Sequence, residues 1–164
     1  MDTNKEFPNL IKVLNDYGQG LVENYKSALA AESINASGDL GNSVKYIIDN
    51  STGGRIEVNL ELAHYWKYIE NGRSAGKWPP ISAIEKWIEV KPILPRPMAN
   101  GKLPTTKQLA YLIARKIGLE GYKGKGILQD RIDNANTAFW EDIEDAIVKD
   151  IGIQVEIIFK EVGF

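Results

Sequence analysis

A chain of 164 residues is long enough to bury one hydrophobic core and short for two. Its apolar fraction of 43% and charged fraction of 26% are ordinary for a globular protein and exclude wholesale disorder. A formal net charge of −2 argues against a protein that lives mainly on nucleic-acid phosphates. Cysteine is absent, which removes disulfides and thiolate metal sites. No apolar run approaches the roughly 20 residues that cross a bilayer. The opening MDTNKEFPNL lacks the basic-then-apolar pattern of a secretory leader. These features predict a soluble, membrane-free protein kept in a cytoplasm or in an assembly built there.

Pro8 to about Glu32 reads as a long helix. Leu10, Leu14, Tyr17, Leu21, Tyr25 and Leu29 recur at three- and four-residue steps and form one apolar stripe. Pro8 suits the first helical turn. Gly18 and Gly20 cost roughly 1 kcal/mol each against alanine and predict a bend or a close approach by another backbone. Asn35 to Asn42 reads as a turn-rich connection. Ser43 to Ile48 and Arg55 to Leu60 then read as a hairpin around the turn DNSTGG. Ile56, Val58 and Leu60 alternate with Arg55, Glu57 and Asn59, the mark of a half-buried antiparallel sheet.

After Pro79 and Pro80, Ile81, Ile84, Trp87 and Ile88 predict a short amphipathic helix that stops before Pro92. Thr105 or Thr106 is placed to cap the next helix, with stripe Leu109, Leu112, Ile113 and Ile117 and an end at Gly118 or Gly121. A last helix, about Leu128 to Ile151, carries Leu128, Ile132, Phe139, Ile143 and Ile147 and is expected to stop at Gly152. In Ile153 to Val162 the alternation of Ile153, Val155, Ile157 and Phe159 predicts a C-terminal strand joining the hairpin. The expected class is therefore α+β. It comprises a long N-terminal helix and a small antiparallel sheet (hairpin plus C-terminal strand) packed with several helices, in a single domain over 1–164. Long loops are expected near 91–104, with four prolines, and near 118–127, with its glycines.

Charge is unevenly spread. Asp130, Asp133, Glu141, Asp142, Glu144, Asp145 and Asp150 face only Arg131 and Lys149 between Gln129 and Asp150. Just upstream, Arg115, Lys116, Lys123 and Lys125 form a basic stretch. A solvated helix beside a solvated loop accounts for this pattern. So does a head-to-tail contact between the basic loop of one copy and the acidic face of the next.

Catalytic patterns are thin. His64 is the one histidine and sits among aromatics in HYWKYIE, where packing or a single hydrogen bond is its ordinary role. No metal-ligand spacing stands out, and the acids of the last helix belong to a polar face. The segment GYKGKG lacks the Gly-Lys-Ser/Thr ending of a phosphate loop and follows a helix, not a strand. Its lysines and Tyr122 would also suit a nucleic-acid backbone, an alternative role as a DNA-binding accessory protein.

The stretch Ala63 to Trp87 is the most specific. Its Tyr65, Tyr68, Ile69, Glu70 and Gly72 fit a Tyr-x-x-Tyr-(hydrophobic)-Glu-x-Gly element, and Gly76, Lys77, Pro79 and Pro80 open the following helix. Ala110 with Ile113 to Ile117, and the Gly-rich run Gly121 to Leu128, complete the pattern. Together these segments resemble the small tail-completion and head–tail connector (neck) proteins of tailed bacteriophages. In many of those proteins the Gly-rich run continues as Arg-Pro-Phe, where this chain has Lys125-Gly126-Ile127-Leu128.

The resemblance implies a structural virion protein, made in the host cytoplasm, that forms a homo-oligomeric ring at the head–tail junction or upper tail. Its implied partners are copies of itself and portal, connector or tail proteins, with transient contact to packaged DNA. It implies no cofactor, no metal and no catalytic residue. Candidate contact residues are Tyr65, Trp66, Arg73, Lys77 and Trp78 in the aromatic stretch, Arg115, Lys116, Tyr122, Lys123 and Lys125 in the basic one, and Glu141, Asp142, Glu144 and Asp145 on the last helix.

Overall fold

The computed structural model describes residues 7–32, 34, 38–52, 55–91, 93–99 and 101–162. Expectations that touch Asn35, Ala36, Ser37, Gly53, Gly54 or Pro92 lie outside the described residues. The elements are α1 (Pro8–Ala31), α2 (Asp39–Ser43), β1 (Lys45–Thr52), β2 (Arg55–Glu61), α3 (Trp66–Glu70), β3 (Gly72–Arg73), α4 (Ile81–Val90), α5 (Thr106–Glu120), β4 (Tyr122–Lys123) and α6 (Ile127–Glu161). The class is α+β, with a long N-terminal helix and a small antiparallel hairpin. The chain organises into two compact units. One comprises 1–28, 43–62 and 128–164, the other 29–42 and 63–127.

In the first unit, α1 buries Leu14, Leu21, Tyr25 and Ala28, the face its periodicity predicts. β1 and β2 pair antiparallel, with Tyr46 opposite Leu60 and Ile48 opposite Val58, and a register irregularity follows Asp49. Those four side chains are half-buried, whereas Ile47 and Asn59 on the other face are exposed. Tyr46 explains Gly18. A Cβ on Gly18 would collide with the Tyr46 ring, so the glycine makes room for an aromatic side chain, not for another backbone. Gly20 faces open space. The Tyr46 hydroxyl donates to Asn15 Oδ1 at 3.2 Å, and the Tyr17 hydroxyl donates to Asn136 Oδ1 at 2.9 Å. Tyr17 also stacks on Phe139 at 3.8 Å, and burial raises its phenol pKa.

Two expectations are corrected here. The C-terminal strand does not form: α6 runs through Gly152 to Glu161, and the hairpin remains a two-stranded sheet. A helix already propagating satisfies each added backbone group internally, and one glycine costs it only about 1 kcal/mol. The Asn35–Asn42 connection is also not all turn, since Asp39 opens the five-residue helix α2, which buries Leu40 and Gly41.

In the second unit, α4 packs on α5. Thr105 caps α5 with a reciprocal capping box. Gln108 N–H donates to Thr105 Oγ1 at 3.3 Å, and Thr105 N–H donates to Gln108 Oε1 at 2.9 Å. The fully buried face of α5 is Ala110, Ala114 and Gly118. Leu109, Ile113 and Ile117 are half-buried and Leu112 is exposed, so the small residues lie deeper than the large ones. Between Lys91 and Thr105 the described residues hold no helix or strand, only a turn closed by Met98 N–H to Lys102 O at 2.9 Å.

Candidate assembly surfaces

The aromatic turn and the Gly-rich segment meet in the second unit. Gly72 pairs with Lys123 and Arg73 with Tyr122 in a minimal antiparallel ladder. Gly76 N–H donates to Gly118 O at 2.7 Å, Lys125 N–H to Ile69 O at 2.7 Å, and Gly126 N–H to Glu70 O at 3.2 Å. Gly72 has φ 74°, and a Cβ there would overlap the backbone of Tyr122 and Gly124. A Cβ on Gly124 would likewise overlap the backbone of Glu70 and Asn71. The glycines thus serve close approach between two chain segments. The segment expected as a loop over 118–127 is consequently pinned: it comprises the end of α5, β4 and a short link into α6.

Around this junction the sequence candidates divide. Arg73 donates from Nη2 to the Lys77 carbonyl at 2.7 Å and lies 5.9 Å from the centre of the Tyr68 ring. Trp78 packs its indole onto Gly118 and meets Tyr111 edge-on at 5.6 Å, while remaining partly exposed. Tyr65 and Trp66 are half-buried at the start of α3, and Lys77 is exposed. Burial raises the Tyr65 phenol pKa, with the nearby Asp39 carboxylate adding to the effect. Burial also raises that of Tyr122, against a smaller lowering by Arg73.

The basic stretch is partly engaged within the subunit. Lys125 Nζ binds Glu32 Oε2 at 2.9 Å, and Lys116 lies 3.8 Å from Glu120 across one helical turn. Arg115 and Lys123 are exposed. Glu141, Asp142, Glu144 and Asp145 are all exposed on α6 in the first unit. Asp142 and Asp145 border a cavity of about 440 Å³ with Lys12, Asp16 and Lys149. His64 is exposed and meets Tyr65 edge-on at 5.6 Å. Among the described residues no group of three His, Asp or Glu side chains is placed to hold a metal ion. No helix among them is long and apolar enough to cross a membrane.

Two apolar features were missed by the sequence reading. The first is a groove of about 790 Å³ in the second unit, walled by Tyr65, Tyr68, Trp87, Val90 and Tyr122. The second lies on α6. Val148, Ile151, Val155, Ile158 and Val162 follow one another at steps of three and four, and each is between 42% and 70% exposed. Val162 continues the helical bonding past Glu161, its N–H donating to Ile158 O at 3.1 Å. Such spacing places all five on one side of the helix, the a and d positions of a heptad. The signal was present in the residues, but Ile153, Ile157 and Phe159 overlay it with a period of two.

The chain matches no protein-family model, no curated protein and no solved structure.

Proposed function

We propose that this chain is a structural subunit of a tailed-phage virion, assembling with copies of itself into a ring at the head–tail junction or upper tail. Portal, connector or tail proteins would be its neighbours in the stack. The observation that carries this reading is the exposed β-branched seam of α6. Isolated monomers rarely leave a long apolar stripe in water, and a contiguous one marks a protein-contact surface. Ile153 and Ile157 are exposed on the opposite side of the same helix, with Lys149, Glu156, Lys160 and Glu161 on the flanks between. A helix that exposes apolar side chains on two faces is suited to contacts with other chains. The choice of assembly in this reading rests on the resemblance of the aromatic turn and the Gly-rich segment, which dock onto each other. In this reading the protein performs no catalysis.

The test is particle composition together with self-association. Mass spectrometry of purified phage particles whose genome encodes the chain should find it at a fixed copy number. Val155→Asp with Ile158→Asp should shift the purified protein to smaller species in sedimentation while leaving its circular dichroism unchanged. A chain absent from particles would overturn the virion role. Unchanged self-association in the double variant would remove the seam from it.

A further inference from the structure

The groove of the second unit has an aromatic wall and an acidic rim. Tyr65, Tyr68, Trp87 and Tyr122 line it, and Asp39 and Glu89 stand on its border with Lys86. Tyr68, Trp87 and Tyr122 keep about two-fifths of their surface in water, an arrangement that leaves aromatic faces open to a ligand. Aromatic grooves of this kind suit proline-rich segments. A polyproline II segment is already stiff, so it loses little entropy on binding, and its three-residue turn presents every third side chain along one edge.

The chain itself carries such a segment. Immediately after α4 the sequence reads Lys91-Pro92-Ile93-Leu94-Pro95-Arg96-Pro97, with Pro92 and Pro95 three residues apart and a guanidinium directly after the second. Residues 93–98 form no helix or strand. Leu94 is 94% exposed, so its side chain is seated in no groove of its own chain. A leucine held out on a proline-stiffened strap is an apolar anchor without a pocket. An open aromatic groove is a pocket without an anchor. Arg96 is opposite in sign to the rim carboxylates of Asp39 and Glu89, which fixes the direction in which a strap would enter.

We infer that the strap 93–97 of one copy seats in the aromatic groove of the next copy, Leu94 entering between the rings and Arg96 meeting the acidic rim. This rests on the proposed ring assembly and names one of its contacts. Strap and groove are different patches, so the contact is heterologous, and repetition around an axis closes a ring.

The absence of cysteine makes the test clean. Leu94→Cys combined with Ala83→Cys, a mild change on an exposed groove residue, is oxidised in the full-length protein. The expected product is a ladder of chain-to-chain disulfides ending at one closed species, with either single variant giving dimers at most. A disulfide confined within one chain, or none at all, overturns the inference. Should oxidation disturb the fold, calorimetric titration of the unmodified protein with the peptide KPILPRPM gives the same decision. Replacing its leucine by aspartate should weaken binding about ten- to a hundredfold. Equal affinity of the two peptides, or no binding by either, refutes the groove as the site. Failure here with the chain still present in particles removes the strap contact and leaves the ring. Absence from particles with a disulfide ladder removes the virion role and leaves the contact.

Discussion

Replacing Asp150 with alanine would remove the anchor that ties the last helix to the first. Asp150 is fully buried, and its carboxylate accepts three hydrogen bonds. Asn9 Nδ2 donates to Oδ1 at 2.7 Å, Asn9 N–H to Oδ1 at 3.0 Å, and Leu10 N–H to Oδ2 at 2.8 Å. The two backbone donors belong to the first turn of α1, where N–H groups have no partner within the helix, so a side chain 140 residues away acts as the N-cap. Hydrogen bonds to a charged acceptor are worth about 1.5–3 kcal/mol each, and cap removal alone costs about 0.5–2 kcal/mol. Part of the sum is returned, because Asn9 and Leu10 are only half-buried and can find water, and because a buried carboxylate no longer has to be desolvated. The net loss for Asp150→Ala should be about 2–4 kcal/mol. Asp150→Asn should fall between, since its carbonyl still accepts while its amide confronts a donor. Urea denaturation supplies the free energy, and amide exchange at Asn9 and Leu10 supplies a local readout that should rise in the alanine variant. Stability within about 0.5 kcal/mol of the parent, with both amides still protected, would refute the capping argument.

Gly72→Ala should destabilise the second unit by about 2–4 kcal/mol in the same assay, from the left-handed backbone and the overlap with Tyr122 and Gly124; a parent-like midpoint would contradict it. The Glu32 carboxyl has its pKa lowered by the hydrogen bond from Lys125 and then by that lysine's charge. Its folded pKa thus lies below its unfolded one, so its contribution is present at neutral pH and fades as pH falls through the folded pKa. NMR titration should show Glu32 below the ordinary glutamate range and returning toward it in Lys125→Gln, and identical titrations in the two proteins would dismiss the pair.

Much of the fold was legible because its signals were local. The α1 stripe, the hairpin alternation, the Thr105 cap and the start of α4 after Pro80 each rest on a few neighbouring residues. The C-terminal segment failed because Ile151 to Val162 satisfies two periods at once, and the helix already running from Ile127 continues through it. Asp150 was read as one more acid in a solvated run. Its register told otherwise, since Phe139, Ile143, Ala146 and Asp150 follow at steps of four, three and four along the inward face of α6. The buried row Ala110, Ala114 and Gly118 was hidden by larger neighbours on the same helix. Depth in a helix pair depends on how close the partner comes, which no single helix reveals. The aromatic groove was not legible at all, because its walls come from α1, α2, α3, α4 and β4 and the residues beside them.

In the proposed assembly the charge blocks would contribute less than the apolar faces. Lys125 and Lys116 already have partners within the subunit, and exposed ion pairs are worth about 0–1 kcal/mol each. Charges of this kind set approach and register. The seam is a different order of magnitude. Burying a Val or Ile side chain from full exposure is worth about 1.5–3 kcal/mol, so the five half-exposed residues from each of two copies offer roughly 8–15 kcal/mol gross. Association itself costs an estimated 4–15 kcal/mol before any side chain is ordered. A single pair of copies held by the seam alone is therefore marginal. A second, independent contact per subunit changes that balance, because in a closed ring each copy is held on two sides and the last link forms without a further loss of translational freedom. The proposed strap and groove provide such a contact on the other compact unit, which would make assembly all-or-none with respect to ring closure.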